Sequence, residues 1–155
     1  MGLIPETVVE DRGSWVLAVN LNQDLLGKTM LVLNRPCTAV IEVQPGEWAA
    51  LHDELRRLVP ALVSLFQPDQ FNFAFLMNQD AQVHLHVIPR YAGPRTWAGL
   101  TFRDDHWGGS FGSGQRPLSG ELLRRLAMEL KAALAGNERA DGPSGHPGAV
   151  APTAR

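Results

Sequence analysis

The segment Gln82-Val83-His84-Leu85-His86-Val87-Ile88 alternates polar and apolar residues before it runs into Pro89-Arg90-Tyr91. Successive side chains of a β-strand point to opposite faces. As a strand, the segment therefore sets Gln82, His84 and His86 on one face and Val83, Leu85 and Val87 on the other. The apolar face requires a core beneath it. Two imidazoles and an amide on one face are out of place on a core strand unless a polar ligand binds them, so the chemistry of the chain is expected here.

The surrounding pattern supplies the rest of a domain. Ser14 to Val19 and Thr29 to Leu33 read as strands separated by the polar turn Asn20-Leu21-Asn22-Gln23-Asp24 and by Gly27-Lys28, and Thr38 to Val43 reads as a short extension. Pro45 suits the first turn of a helix. Trp48, Leu51, Leu55, Leu58, Leu62 and Leu65 follow at steps of three and four, which marks one buried helical stripe. Pro60 falls off that stripe and is expected to kink or split the helix. Phe71 to Met77 reads as an aromatic strand that turns through Asn78-Gln79-Asp80-Ala81 into the histidine strand, making a hairpin.

After Tyr91 comes a long Gly/Pro-rich loop studded with Trp97, Phe102, Trp107 and Phe111. Ser119 then caps a last helix with Leu122, Leu123, Leu126, Leu130 and Leu134 on its apolar side. The order strand, strand, helix, hairpin and helix predicts an α+β fold with an antiparallel sheet, a long central helix and a C-terminal helix. The expected organisation is one domain over residues 1–115, a helix over 116–135 packed on it, and a disordered tail over 136–155 without apolar periodicity.

With 155 residues, 45% of them hydrophobic, the chain fits one domain with a core of its own. Its net charge of −2 argues against a grip on nucleic acid built from a basic surface. The one cysteine, Cys37, forms no intrachain disulfide and suits a reducing compartment. Neither a basic-then-apolar leader nor an apolar stretch near the ~20 residues of a membrane span is present. A soluble, cytoplasmic protein is expected.

The histidine strand admits three readings. His84 and His86 can be structural residues with hydrogen-bond partners, although three polar groups on one face are hard to satisfy together. They can be zinc ligands, which would need a third donor such as His106, Asp104 or Asp105. Or one imidazole can attack a phosphoryl centre in line and form a phosphoramidate that water hydrolyses, with donors on either side stabilising the transition-state charge.

The run from Gln82 to Arg90 resembles the histidine triad (HIT) motif, His-φ-His-φ-His-φ-φ followed by Pro-Arg. Asn20-Leu21-Asn22 through Gly27-Lys28 to Leu31-Val32-Leu33 is similar to that family's ribose-binding Asp or Asn, its Pro-Gly-His and its following strand. Pro45-Gly46-Glu47-Trp48 stands where the family's central helix begins, and Tyr91-Ala92-Gly93 resembles the fragile-histidine-triad branch of dinucleoside polyphosphate hydrolases. The likeness extends over about Ser14 to Tyr91.

The resemblance implies a homodimeric HIT fold that binds a purine nucleotide and cleaves a nucleoside 5′-phosphoryl bond, in a dinucleoside polyphosphate or another nucleotide conjugate. It implies no required cofactor and no metal, a divalent cation entering only with the substrate. His84 would be the nucleophile, His86 would hydrogen-bond the phosphate oxygens, Asn20 would contact the ribose hydroxyls, Asn78 would lie near the phosphate, and Asn22 and Lys28 would also bind the nucleotide. Two positions depart from the pattern. Gln82 replaces the first triad histidine with an amide that does not titrate but can orient His84 or a phosphate. Lys28 replaces the histidine of the Gly-His pair with a fixed charge. With the first histidine gone, the alternative is a nucleotide-binding protein with little turnover.

Overall fold

The computed structural model describes residues 3–112 and 114–140. Five antiparallel strands form one sheet in the order β1-β2-β3-β5-β4, from β1 (Val8–Asp11), β2 (Trp15–Val19), β3 (Thr29–Leu33), β4 (Gln70–Ala74) and β5 (His84–Arg90). Two helices, α1 (Pro45–Phe66) and α2 (Gly120–Ala140), pack on one face of it. A second, two-stranded hairpin, β6 (Arg95–Trp97) and β7 (Leu100–Phe102), follows β5.

The alternation read in the sequence decides which face the helices cover. Leu17, Leu31, Leu85 and Val87 lie on the helix side and share a core with Leu58 and Leu62 of α1 and Leu126 and Leu130 of α2. Those four helical leucines are at most 1% exposed, and truncating one such side chain to alanine costs about 2–5 kcal/mol. The histidines fall on the opposite face. There His84 pairs across to Val32 and His86 to Met30, next to a small second cluster of Ala18, Met30 and Val32 against which Leu3 packs.

Helix α1 starts as expected, with Pro45 at its first position and the Glu47 carboxylate accepting the Gln44 backbone N–H at 2.8 Å. It ends at Gln67, which takes a left-handed conformation (φ 50°) just before Pro68. Pro60 neither splits it nor ends it: the helix is continuous through Phe66. Pro60 and Arg56, whose carbonyl loses its partner there, are both exposed, so water can solvate the unpaired group. The stripe is also rotated from the expected one. Trp48 is 39% exposed against the edge of Phe75, while Glu54 is buried and bound by Arg12 and Arg57.

Other boundaries differ from the sequence reading. The extension read at Thr38 to Val43 is a loop with a single 3-10 turn, Val40–Glu42. The aromatic strand stops at Ala74, and Met77 in the loop beyond it has φ 41°. The supposed long loop contains β6 and β7, whose turn holds Ala98 and Gly99 in left-handed conformations (φ 48° and 75°). Helix α2 runs to Ala140, past the boundary expected at 135; the rest of the expected tail, 141–155, lies outside the described residues. Among the described residues, no helix is long and apolar enough to cross a membrane.

Candidate active site

A cleft of roughly 450 Å³ opens on the histidine face. His84, His86 and Met30 form its floor. One wall is the β2–β3 loop, with Asn20, Leu21, Asn22 and Lys28. The facing wall is the β4–β5 loop, with Leu76, Asn78, Gln79 and Asp80, and Gln115 closes one side.

The two imidazoles are joined in a directed chain. His84 Nδ1 lies 2.7 Å from the backbone carbonyl of Gln82. A carbonyl only accepts, so Nδ1 carries the proton and the neutral ring keeps a lone pair on Nε2. That Nε2 lies 3.0 Å from His86 Nε2, which must then be the donor. His86 Nδ1 is left as an acceptor, 3.5 Å from Asn20 Nδ2. Burial lowers the His86 pKa to about 4, and the nearby Lys28 ammonium, like any proton added to His84, disfavours a charge on it further, so His86 is neutral at pH 7 as this chain of donors requires. The floor thus holds an imidazole with a fixed lone pair beside a second that offers an N–H.

Gln82 takes no part in the cleft. It precedes β5, and its side chain turns away to the backbone of residues 33–37. Nε2 donates to the carbonyls of Leu33 (2.6 Å) and Arg35 (2.8 Å), and Oε1 accepts the N–H of Cys37 at 3.2 Å. The same segment is tied to α1 by Arg35, whose guanidinium grips the Glu47 carboxylate at 2.6 and 2.9 Å. Asp80 accepts the Gln82 backbone N–H at 2.9 Å. It is the main chain of Gln82, held on both sides, that aims His84.

Gln23 plays the same part in the opposite wall. Fully buried, it donates to the carbonyls of Asn20 and Lys28 (both 2.7 Å) and accepts the Gly27 N–H at 2.9 Å. Gly27 has φ 82°, and a Cβ there would meet the Phe66 ring at 2.9 Å, so the loop needs a glycine at this turn. Lys28 reaches the cleft wall with its ammonium 2.6 Å from Asp24 Oδ1, both side chains 12% exposed. The Asn20 carboxamide accepts the Asn22 N–H at 2.9 Å. Asn22 in turn donates to the Gly114 carbonyl and accepts the Arg116 N–H, both at 2.7 Å.

Of the residues singled out in the sequence, His84, His86, Asn20, Asn22, Lys28 and Asn78 therefore meet at one cleft, and Gln82 supports it from outside. Gln23, Asp24, Gln79, Asp80 and Gln115 were not foreseen. Gln79 and Asp80 lie between Asn78 and Gln82, and adjacency alone was a signal for them; Gln115 had none. Asp104 and His106 are elsewhere. Asp104 is bound to Arg90 (2.6 Å), and His106 packs its ring over Gly112. Among the described residues no group of three His, Cys, Asp or Glu is placed to hold a metal ion.

No family model matches the chain, and no curated protein does. Solved structures do. A histidine triad protein from Sinorhizobium meliloti 1021 superposes with a TM-score of 0.67 at 23% identity, over 82% of this chain and 88% of that one. The fold is that of the histidine triad proteins. A hypothetical histidine triad nucleotide-binding protein from Sulfolobus tokodaii matches with a TM-score of 0.69 at 15% identity, over 89% of each chain. A diadenosine triphosphate hydrolase of Plasmodium falciparum matches with 0.66 at 15%, over 86% of this chain and 80% of that one. The histidine triad fold is thus common to this chain and to proteins whose sequences have diverged far from it.

Proposed function

We propose that the chain is a histidine triad-type nucleotide hydrolase or transferase that cleaves a nucleoside 5′-phosphoryl bond through a nucleotidyl intermediate on His84. The observation that carries the reading is the pair of imidazoles at the cleft floor, with His84 Nδ1 on a carbonyl at 2.7 Å and its Nε2 facing His86 at 3.0 Å. The lone pair on His84 Nε2 attacks the α-phosphorus, and the bond to the leaving group breaks with its electron pair. The ring becomes cationic, and the Gln82 carbonyl steadies its Nδ1–H. The His86 N–H, no longer facing a lone pair, donates to a non-bridging oxygen. Water then attacks phosphorus and gives up its proton to solvent, the P–N bond breaks with its electron pair returning to Nε2, and neutral His84 is restored with release of the nucleoside monophosphate. In a transferase, another acceptor replaces water.

Gln82 has no proton to give, and its amide is engaged with the backbone. A leaving group that departs as a phosphate anion needs none, which favours dinucleoside polyphosphates over amine conjugates. A purine base is the expected nucleoside partner, and a divalent cation enters only with the substrate's phosphates. The same reading makes the protein a cytoplasmic homodimer. Supporting the dimer, β4 is one of the two edge strands of the sheet, and its Phe73 (48% exposed), together with Trp48 (39%), Val63 (43%) and Leu76 (39%), leaves large apolar side chains in contact with water.

The test is release of AMP from diadenosine polyphosphates and from an adenosine phosphoramidate, with intact-mass trapping of the nucleotidylated protein. His84→Asn is expected to abolish both turnover and labelling while AMP still binds. Turnover near the wild-type rate in that variant, or a label on another residue, refutes the mechanism.

A further inference from the structure

The β2–β3 wall of the cleft carries a device that nothing in the catalytic scheme uses. Residues 114–117 cross that wall as a strap. Asn22 holds it on both sides of one residue, donating to the Gly114 carbonyl and accepting the Arg116 N–H, while the Arg116 carbonyl accepts the Gln23 N–H at 3.0 Å. Arg116 is fixed further by its bond to the Thr101 carbonyl (2.6 Å) and by its guanidinium 4.0 Å over the Phe102 ring. The residue held between these anchors is Gln115, which lines the cleft. Its carboxamide has no hydrogen-bond partner among the described residues.

The carboxamides beside it are each partly engaged with the wall, whereas that of Gln115 keeps all its donors and acceptors. Asn20 gives its oxygen to the Asn22 N–H and turns its nitrogen to His86, and Asn22 is bound to the strap. We infer that Gln115 is a specificity-determining residue that hydrogen-bonds the ribose hydroxyls of the nucleotide, with Asn22 as the residue that positions it. A vicinal diol offers donors and acceptors together, and a primary carboxamide matches both at any pH. A phosphate offers only acceptors and is better met by the imidazole N–H on the floor of the cleft and by the Lys28 ammonium. The assignment rests on the nucleotide reading above and adds to it the part of the ligand that this wall reads.

The experiment is calorimetry of AMP and of 2′,3′-dideoxy-AMP on the full chain, on Gln115→Ala and on Asn22→Ala. Wild type is expected to prefer AMP. Gln115→Ala is expected to weaken AMP by about two- to tenfold, the equivalent of one hydrogen bond, and to leave dideoxy-AMP unchanged. Asn22→Ala is expected to give the same selective loss, because it frees the strap. A variant that loses both nucleotides equally, or keeps the wild-type preference, overturns the assignment while the nucleotide reading stands. If wild type binds neither nucleotide, the nucleotide reading itself fails and this one fails with it.

Discussion

Replacing Gln82 by alanine removes a side chain that touches no ligand, and the structure sets the size of the loss. Two donor bonds and one acceptor bond disappear, to Leu33, Arg35 and Cys37. A net hydrogen bond contributes about 0.5–1.5 kcal/mol. Gln82 is half-buried, so water recovers part of that, and about 2 kcal/mol is the expected loss of stability. For a domain of this size that lowers Tm by about 4–8 °C. Turnover is also expected to fall, because the Gln82 carbonyl that fixes His84 rides on the same segment, and His84 should still take the label. Gln82→His, which writes the full triad back into the sequence, is expected to destabilise as well. A neutral imidazole has one donor and one acceptor, set too rigidly to replace two donors and an acceptor on three backbone groups. Thermal melts and steady-state rates on both variants check this. A Gln82→Ala protein that melts with wild type, or a Gln82→His protein that is both more stable and faster, refutes the supporting role.

Because the folded state lowers the His86 pKa from 6.5 to about 4, the unfolded chain binds more protons between those values. Stability should therefore fall as pH drops from 6.5 towards 4; a His86→Asn variant should lose less over that window in pH-dependent melts, and an identical pH profile would remove His86 as the cause. Phe73→Asp on the β4 edge strand is expected to convert the proposed dimer to a monomer without unfolding it, read by light scattering; a dimer that persists at micromolar concentration places the interface elsewhere.

The sequence exposed those parts of the fold whose periodicity is internal to one element. Strands β2 and β3, the start of α1 at Pro45 and the leucine side of α2 all follow from spacing alone. Strand β1 was missed because Val8-Val9-Glu10-Asp11 is short and half charged, and its register is broken by an irregularity between Val8 and Glu10. The β6–β7 hairpin was hidden because its turn uses Ala98 in a left-handed conformation, where glycine or asparagine would have been the signal. At the site, His84 and His86 were legible because a strand puts them on one face. The position of Gln82 was legible and its direction was not. Its partners are backbone groups of residues 33–37, and a bond to a carbonyl leaves no trace in the identity of the residue that owns it. Gln115 is brought to the cleft by contacts spanning more than ninety residues (|i−j| 92 and 94), beyond the reach of any local pattern.

Arg90, four residues beyond His86, is 2% exposed and makes five hydrogen bonds: two to Asp104, one to Asn72 and one each to the carbonyls of His106 and Gly109. Every N–H of its guanidinium is matched. Burial alone would raise the Asp104 carboxyl, but its bonds from Arg90, Tyr91 and His106 hold it below the usual carboxylate range, so it meets the guanidinium as a carboxylate at neutral pH. The histidine strand is in consequence bolted at its far end to its neighbour in the sheet and to the loop beyond it. Under the proposed mechanism the surface beneath the phosphorus is then an anvil fixed by these bonds, and adjustment to ligands of different shape falls to the β4–β5 loop and the strap. If the proposed activity holds, substitutions in those two segments are expected to change which nucleotides are accepted, whereas substitutions beneath the histidines are expected to change the rate with all of them.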